Sequence, residues 1–276
     1  MKRRTLLALP WVVACSRPER RARPAMDPLL AVGRDFGETA AADDVFAQAE
    51  LERIATKVAR SGGGGEAAAG ARVERLNRVV FTELGFAREV ESTALACVLL
   101  QPVLRHRRGS CVGLGSLYLA LAERLELPLA GVLLPGHFFV RTSEAGALSN
   151  IELLRRGEAM PDHWYRSKYP TQEGEATAYG RALTKTEVRG VVEYDVGNER
   201  RRQGRLDEAR RAFARAIEHF PDFAEAHASL GSVLHLLGSL EAAELAYAAA
   251  RKANPRLPGL DWNLELLARE RANSRP

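Results

Sequence analysis

From residue 197 onward, the chain repeats itself with a period of 34 residues, which restricts its fold more than any other feature. A period of this length is typical of stacked helical hairpins, in which each unit buries its apolar face against the next. Small residues at matched positions let two helices approach closely, and a proline closes each unit because it cannot continue a helix. The matched pairs are Gly197 and Gly231, Gly204 and Gly238, Ala209 and Ala243, Phe213 and Tyr247, Ala216 and Ala250, and Pro221 and Pro255.

This pattern resembles the tetratricopeptide repeat. The resemblance implies an all-α domain, which we place at residues 184–276, with a concave surface that binds a protein or peptide partner. Apolar residues after position 257 predict a terminal capping helix, and we expect so short an array to pack against the preceding domain. Three histidines spaced eight residues apart are predicted to be surface or groove residues rather than metal ligands: His219, His227 and His235.

The first 14 residues have the features of a secretion signal, with basic residues at positions 2–4 before an apolar run at 6–14. Residues 12–15, Val-Val-Ala-Cys, resemble a bacterial lipobox, which implies that Cys15 is acylated and begins the mature chain. An ordinary cleaved signal followed by a chance cysteine is the alternative. We therefore expect a lipid-anchored protein of the bacterial cell envelope. Ser16 after the cysteine implies, by the same resemblance, the periplasmic face of the outer membrane.

The positive charge of the chain is concentrated at its N-terminus. The chain has 40 basic and 35 acidic residues, and the signal contributes three of the basic ones, so 37 and 35 remain. We assign residues 15–27 to a basic linker, which suits an anionic membrane surface or serves only as a solvated spacer. The nearly balanced remainder argues against a nucleic-acid partner.

Residues 28–183 are expected to form an α+β core. Apolar spacing predicts helices over 44–60 and from about 71 to 84. The glycine-rich residues 61–65 between them lack the Lys-Ser or Lys-Thr of a phosphate-binding loop, so they are predicted to be a flexible connection. Cys97 lies in an apolar stretch and is predicted to be a buried thiol.

Cys111 is predicted to begin a buried helix. Ser110 is a favourable N-cap residue, and apolar residues follow it at helical spacing. The partial positive charge and free N–H groups of a helix start stabilise a thiolate, which is the nucleophilic form of cysteine. The same N–H groups can stabilise the oxyanion of a tetrahedral intermediate.

A predicted hairpin follows this helix. Residues 129–134 and 137–141 are expected to be strands, with His137 at the start of the second one. A further strand at 150–153 places Asn150 or Glu152 where it can accept a hydrogen bond from the imidazole and orient it. In a competing interpretation Asn150 is only a turn residue and Glu152 forms a cross-strand ion pair with Arg141.

A cysteine at a helix start, a histidine on the next strand and a polar residue on the following strand resemble the transglutaminase-like superfamily of papain-type folds. Residues 109–114, Gly-Ser-Cys-Val-Gly-Leu, and 134–141, Leu-Pro-Gly-His-Phe-Phe-Val-Arg, together with the repeats, resemble bacterial SirB1-type proteins. The resemblance implies that Cys111 is the nucleophile and His137 the base. For the third member we favour Glu152, whose position resembles the family's aspartate, with Asn150 as the alternative.

The function expected from these features is that of a membrane-tethered cysteine hydrolase or peptidase. A thioester on Cys111 would react with water in hydrolysis or with an amine in transamidation, and we favour hydrolysis. The alternative is a non-catalytic envelope scaffold that recruits a protein partner through its repeats. The sequence has no Cys-x-x-Cys or His-Glu-x-x-His spacing, so no metal or other cofactor is expected. The oligomeric state is left open.

Overall fold

The structure is a computed structural model that describes residues 27–62, 68–89, 94–142, 150–171 and 178–273. The predicted signal at 1–14 and the acylated Cys15 lie outside the described residues, as does the predicted linker up to residue 26. Within the described ranges, no helix combines the length and the apolar character needed to cross a bilayer.

Helices form the first part of the core. They are α1 (Pro28–Asp35), α2 (Ala41–Arg60), α3 (Ala69–Asn77) and α4 (Leu100–His106). The helix predicted at 44–60 is confirmed, but the one predicted to run from 71 to 84 changes after Asn77 into a π-helical turn over Arg78–Glu83. Cys97 ends a short 3-10 turn and is buried, as predicted. Two short strands, β1 (Ala87–Arg88) and β2 (Arg108–Gly109), pair in parallel beside this turn.

The centre of the core is helix α5 (Cys111–Arg124) packed against a five-stranded antiparallel sheet of order β6-β5-β4-β3-β7. Its strands are β3 (Leu129–Leu134), β4 (His137–Thr142), β5 (Asn150–Glu152), β6 (Glu158–Ala159) and β7 (Ala182–Leu183). Phe138 faces α5, where a Cβ on Gly115 would lie 2.4 Å from its ring. The opposite face of β4 carries His137 and Phe139, which contact the helix α6 (Asp162–Lys168) and the residue after it. The predicted alternation of β4 is therefore confirmed.

The described residues from 185 to 273 form five helices: α7 (Lys185–Arg202), α8 (Leu206–His219), α9 (Ala224–Leu236), α10 (Leu240–Ala253) and the predicted cap, α11 (Leu260–Asn273). The repeat is visible in its packing. A Cβ on Gly197 would lie 2.6 Å from the Phe213 ring, and a Cβ on Gly231 would lie 2.6 Å from the Tyr247 ring. Equivalent glycines thus make room for equivalent aromatic rings.

The repeat array packs on the core through α7, as the sequence predicts. One apolar cluster extends from Leu29 of α1 to Phe220 after α8. Asp35 of α1 accepts hydrogen bonds from Arg189 and Arg215 of the repeat helices, at 2.5 and 2.7 Å. Helices α7 and α8 thus both contact the core, α7 through Arg189 and α8 through Arg215.

The three repeat histidines have separate partners: His219 contacts Glu193, His227 contacts the Pro221 carbonyl and His235 contacts Glu270. Among the described residues, no three His, Cys, Asp or Glu side chains converge in a way that would hold a metal ion.

Candidate functional site

The start of α5 fixes the position of Cys111. The Ser110 Oγ atom accepts a hydrogen bond from the Gly113 N–H at 3.1 Å, which is the predicted N-cap. The Ser110 N–H donates to the Cys97 carbonyl at 2.8 Å, and a Cβ on Gly113 would lie only 2.1 Å from that carbonyl oxygen. The first turn of α5 is thus pressed against the backbone at Cys97, and only glycine fits at position 113.

Two backbone N–H groups, those of Val112 and Phe138, donate toward the Cys111 sulfur. The first belongs to the free amides of the helix start. The second is explained by the register of the β3–β4 hairpin. Leu134 pairs with His137 across a two-residue turn, so Leu133 and Phe138 form a non-hydrogen-bonded pair whose amides point outward. The hairpin therefore turns the Phe138 N–H away from β3 and toward the thiol.

The electrostatics of the thiol differ from the sequence prediction of a stabilised thiolate. Burial, and then the nearby carboxylate of Asp195, raise the pKa of Cys111 to about 11, and the two donating N–H groups only reduce this effect. Cys111 is half-buried in the site. At neutral pH its resting form is therefore the thiol.

His137 is buried at the start of β4, and Glu152 is buried at the end of β5. The Nε2 atom of His137 lies 2.7 Å from a carboxylate oxygen of Glu152. The other carboxylate oxygen accepts the Leu154 N–H at 3.0 Å, which holds Glu152 at the cap of a 3-10 turn. The ring of Tyr169 stacks on the imidazole with the centroids 4.2 Å apart and the planes 4° apart. The imidazole is thus held at one nitrogen and on one face.

Asn150 has other partners. Its Oδ1 atom accepts a hydrogen bond from Arg141 Nε at 2.6 Å, and its Nδ2 group donates to the Met160 carbonyl and to Asp162. Of the two candidates for the third position, the structure places Glu152 at His137 and gives Asn150 to Arg141. Arg141 also pairs with Asp162, so the cross-strand ion pair with Glu152 is not formed.

Cys111 and His137 line the same cavity, which has a volume of about 480 Å³. Residues of α7 form another part of its wall, among them Tyr194, Asp195 and Asn198. Desolvation raises the pKa of Asp195 to about 7. Sequence analysis missed Asp195, because only the packing of the repeats on the core brings it to the thiol. It also missed Tyr169, although the aromatic residues of 164–169 were a usable signal.

A thiol, an imidazole oriented by a carboxylate, and N–H groups aimed at the sulfur are the components of nucleophilic acyl transfer. The geometry places the Cys111 thiol and the His137 imidazole on one cavity, with two backbone N–H groups near the sulfur. The assignment of these roles to Cys111, His137 and Glu152 stays a prediction.

Comparison with known proteins agrees with this architecture. A tetratricopeptide repeat family matches residues 194–258. The UPF0162 protein PM0557 of Pasteurella multocida (strain Pm70) is 33% identical over 122 residues, which is 43% of this chain and 43% of that protein. The aligned segment thus spans less than half the length of this curated relative. The family described as the transglutaminase-like superfamily matches residues 46–194, more than half of the 276 residues. The chain therefore belongs to the transglutaminase-like superfamily.

Proposed function

We propose that this protein is a cysteine hydrolase of the transglutaminase-like type that cleaves an amide or peptide bond through a thioester on Cys111. The observation that carries the proposal is the cavity shared by Cys111 and His137, with His137 Nε2 held by Glu152 at 2.7 Å. Because Glu152 occupies Nε2, the Nδ1 atom is the one that exchanges a proton with the thiol.

In the proposed reaction, the Cys111 sulfur attacks the amide carbonyl carbon while His137 accepts the thiol proton. In this proposal the N–H groups of Val112 and Phe138, which donate toward the sulfur, also donate to the oxyanion that forms on the attacked carbonyl. The C–N bond breaks, the amine leaves with the proton from His137, and a thioester remains. Water then attacks the thioester, releases the acid and regenerates the thiol; an amine in place of water would give transamidation.

The raised pKa of Cys111 defines how the nucleophile is formed. A preformed thiolate–imidazolium pair is not needed if the proton moves to His137 as the sulfur attacks. Glu152 supports this step because its carboxylate stabilises the imidazolium that appears. General-base transfer of this kind contributes about 100- to 10,000-fold to a rate.

The experiment is acylation of the full chain by p-nitrophenyl acetate, followed by peptide mass spectrometry. We expect a hydroxylamine-labile acetyl group on Cys111, slow loss of this group in water, and no such adduct in Cys111→Ala. Peptide mapping separates Cys111 from the buried Cys97. Added glycinamide that receives the acetyl group faster than water would favour transfer over hydrolysis. Acetylation that is unchanged in Cys111→Ala would contradict the proposal.

The membrane tether is a separate proposal, as is the narrower SirB1-type assignment. Residues 12–15 and the charged, apolar leader before them support acylation of Cys15 and location in the cell envelope. Basic residues in the linker would add attraction to anionic lipid. Metabolic labelling with palmitate in a bacterial host tests the tether: we expect label in the wild-type chain and none in Cys15→Ala. Equal labelling of both would contradict it.

The repeats are proposed to bind the substrate protein or a partner. Tetratricopeptide repeats generally mediate protein interactions, and α7 joins the repeat array directly to the cavity. This continuity favours a role in presenting substrate to Cys111 over recruitment at a distant surface.

A further inference from the structure

We infer that Asp195 forms a binding subsite, beside Cys111, for a cationic group of the substrate, an ammonium or a guanidinium. This inference rests on the proposed function, since it concerns the substrate of the same cavity. The inference is based on the position of the Asp195 carboxylate on the first repeat helix, and on its lack of a partner among the described residues.

Asp195 differs from the other acidic residues of α7. Glu193 is paired with Arg189 and His219, and Glu199 is paired with Arg202 and Gln203. In the part of the chain that the structure describes, no hydrogen bond or ion pair joins Asp195 to another residue. It is half-buried and faces the cavity. A carboxylate in this setting is partly desolvated and has no protein donor, so a ligand that supplies a donor is favoured there.

The location of Asp195 restricts which part of a ligand it can meet. It lies close enough to Cys111 to be, after burial, the largest cause of the raised thiol pKa. Because both side chains line one cavity, a group bound to Asp195 shares that cavity with the carbonyl that the sulfur attacks. Burial raises the pKa of Asp195 to about 7, so a bound cation would also draw it into its ionised form.

The other charged residues that line the cavity are also compatible with a cationic ligand near Asp195. Glu225 is a second carboxylate on the wall, and it accepts a hydrogen bond from the Tyr179 hydroxyl. The basic side chains on the wall come from Arg201 and Arg202, one helical turn or more further along α7, and Arg202 is bound to Glu199. The cavity thus carries the Asp195 carboxylate near the thiol, and a lysine- or arginine-type side chain of the substrate fits this carboxylate by charge.

The test uses two thiol reagents that differ in charge: 2-aminoethyl methanethiosulfonate, which is cationic, and methyl methanethiosulfonate, which is neutral. Both convert Cys111 into a mixed disulfide with loss of methanesulfinate, so the ratio of their rates cancels the fraction of thiolate. The ratio is measured on the full chain at pH 8, with the adduct mapped to Cys111, in wild type, Asp195→Asn and Asp207→Asn. Asp207 is the matched control, because its exposed side chain lies in the first turn of α8, away from the cavity.

We expect the cationic reagent to be favoured in the wild type, and Asp195→Asn to lower the ratio by about threefold or more, as a nearby unit charge would. Asp207→Asn should leave it unchanged. A ratio that Asp195→Asn does not alter would overturn the inference. This readout does not depend on catalysis. If His137→Ala fails to slow ester acylation while the ratio still falls in Asp195→Asn, the proposed function is wrong and the subsite stands.

Discussion

Asp195, on the first helix of the repeats, lies on the same cavity as Cys111, at the start of a core helix, and its carboxylate raises the pKa of the thiol. The pKa of Cys111 therefore depends on the repeats as well as on the core. Asp35 of α1 binds Arg189 of α7 and Arg215 of α8, and this packing helps to set the position of Asp195.

Removal of the Asp195 charge is expected to make Cys111 more reactive at moderately alkaline pH. A carboxylate disfavours the thiolate, so its replacement in Asp195→Asn lowers the thiol pKa from its value of about 11. The alkylation rate with neutral iodoacetamide at pH 8.5 should rise by about threefold or more, because only the thiolate reacts. Asp207→Asn serves again as control. A slower reaction in Asp195→Asn would show that the assigned sign is wrong.

Glu152, rather than Asn150, should support the imidazole. Glu152→Gln keeps the shape of the side chain but removes the charge that faces His137 Nε2 at 2.7 Å. We expect its acylation rate with p-nitrophenyl acetate to fall on the order of 100-fold. Asn150→Ala loses the contacts with Arg141 and Asp162, so it should lower the melting temperature while each folded molecule keeps most of its rate. The reverse ranking of the two rates would assign the third position to Asn150.

Tyr169 is expected to act as a positioning residue. Its ring covers one face of His137 at a centroid distance of 4.2 Å, which restricts rotation of the imidazole and shields the bond to Glu152. Tyr169→Leu should slow acylation by about tenfold, and Tyr169→Phe, which keeps the ring, should restore the rate. Equal rates in the leucine and phenylalanine variants would show that ring stacking on His137 does not contribute to the rate.

Gly113 offers a test of the packing that fixes the thiol. Helix propensity alone predicts that Gly113→Ala stabilises the protein by about 0.5–1 kcal/mol. The structure predicts the opposite, because the new Cβ would lie 2.1 Å from the Cys97 carbonyl oxygen and the backbone would have to shift. We expect a loss of about 1–3 kcal/mol in the free energy of unfolding, measured by urea denaturation. A gain would contradict the described approach of α5 to residue 97.

Features that depend on short stretches of sequence were predicted, whereas features that depend on tertiary packing were missed or assigned wrongly. The start of α5 at Cys111, the 129–142 hairpin and the repeat of 34 residues were predictable, because cap residues, alternation and matched glycines act over short distances. The choice between Glu152 and Asn150 depended on the register between β4 and β5. A longer connection joins these two strands than joins β3 and β4, so the local sequence did not fix that register. The sign of the thiol pKa shift was wrong because burial and Asp195, both products of tertiary packing, outweigh the helix start.

The most direct test of the central claim is the single-turnover rate of Cys111 acylation by p-nitrophenyl acetate at pH 7.5 in wild type and His137→Ala. Because His137 is buried and hydrogen bonded, His137→Gln is measured beside it, and rates are normalised to folded protein. If His137 accepts the thiol proton, both variants should be slower by about 100-fold or more. A wild-type rate in folded His137→Ala or His137→Gln would show that the two side chains do not act together, and the enzymatic account would fail.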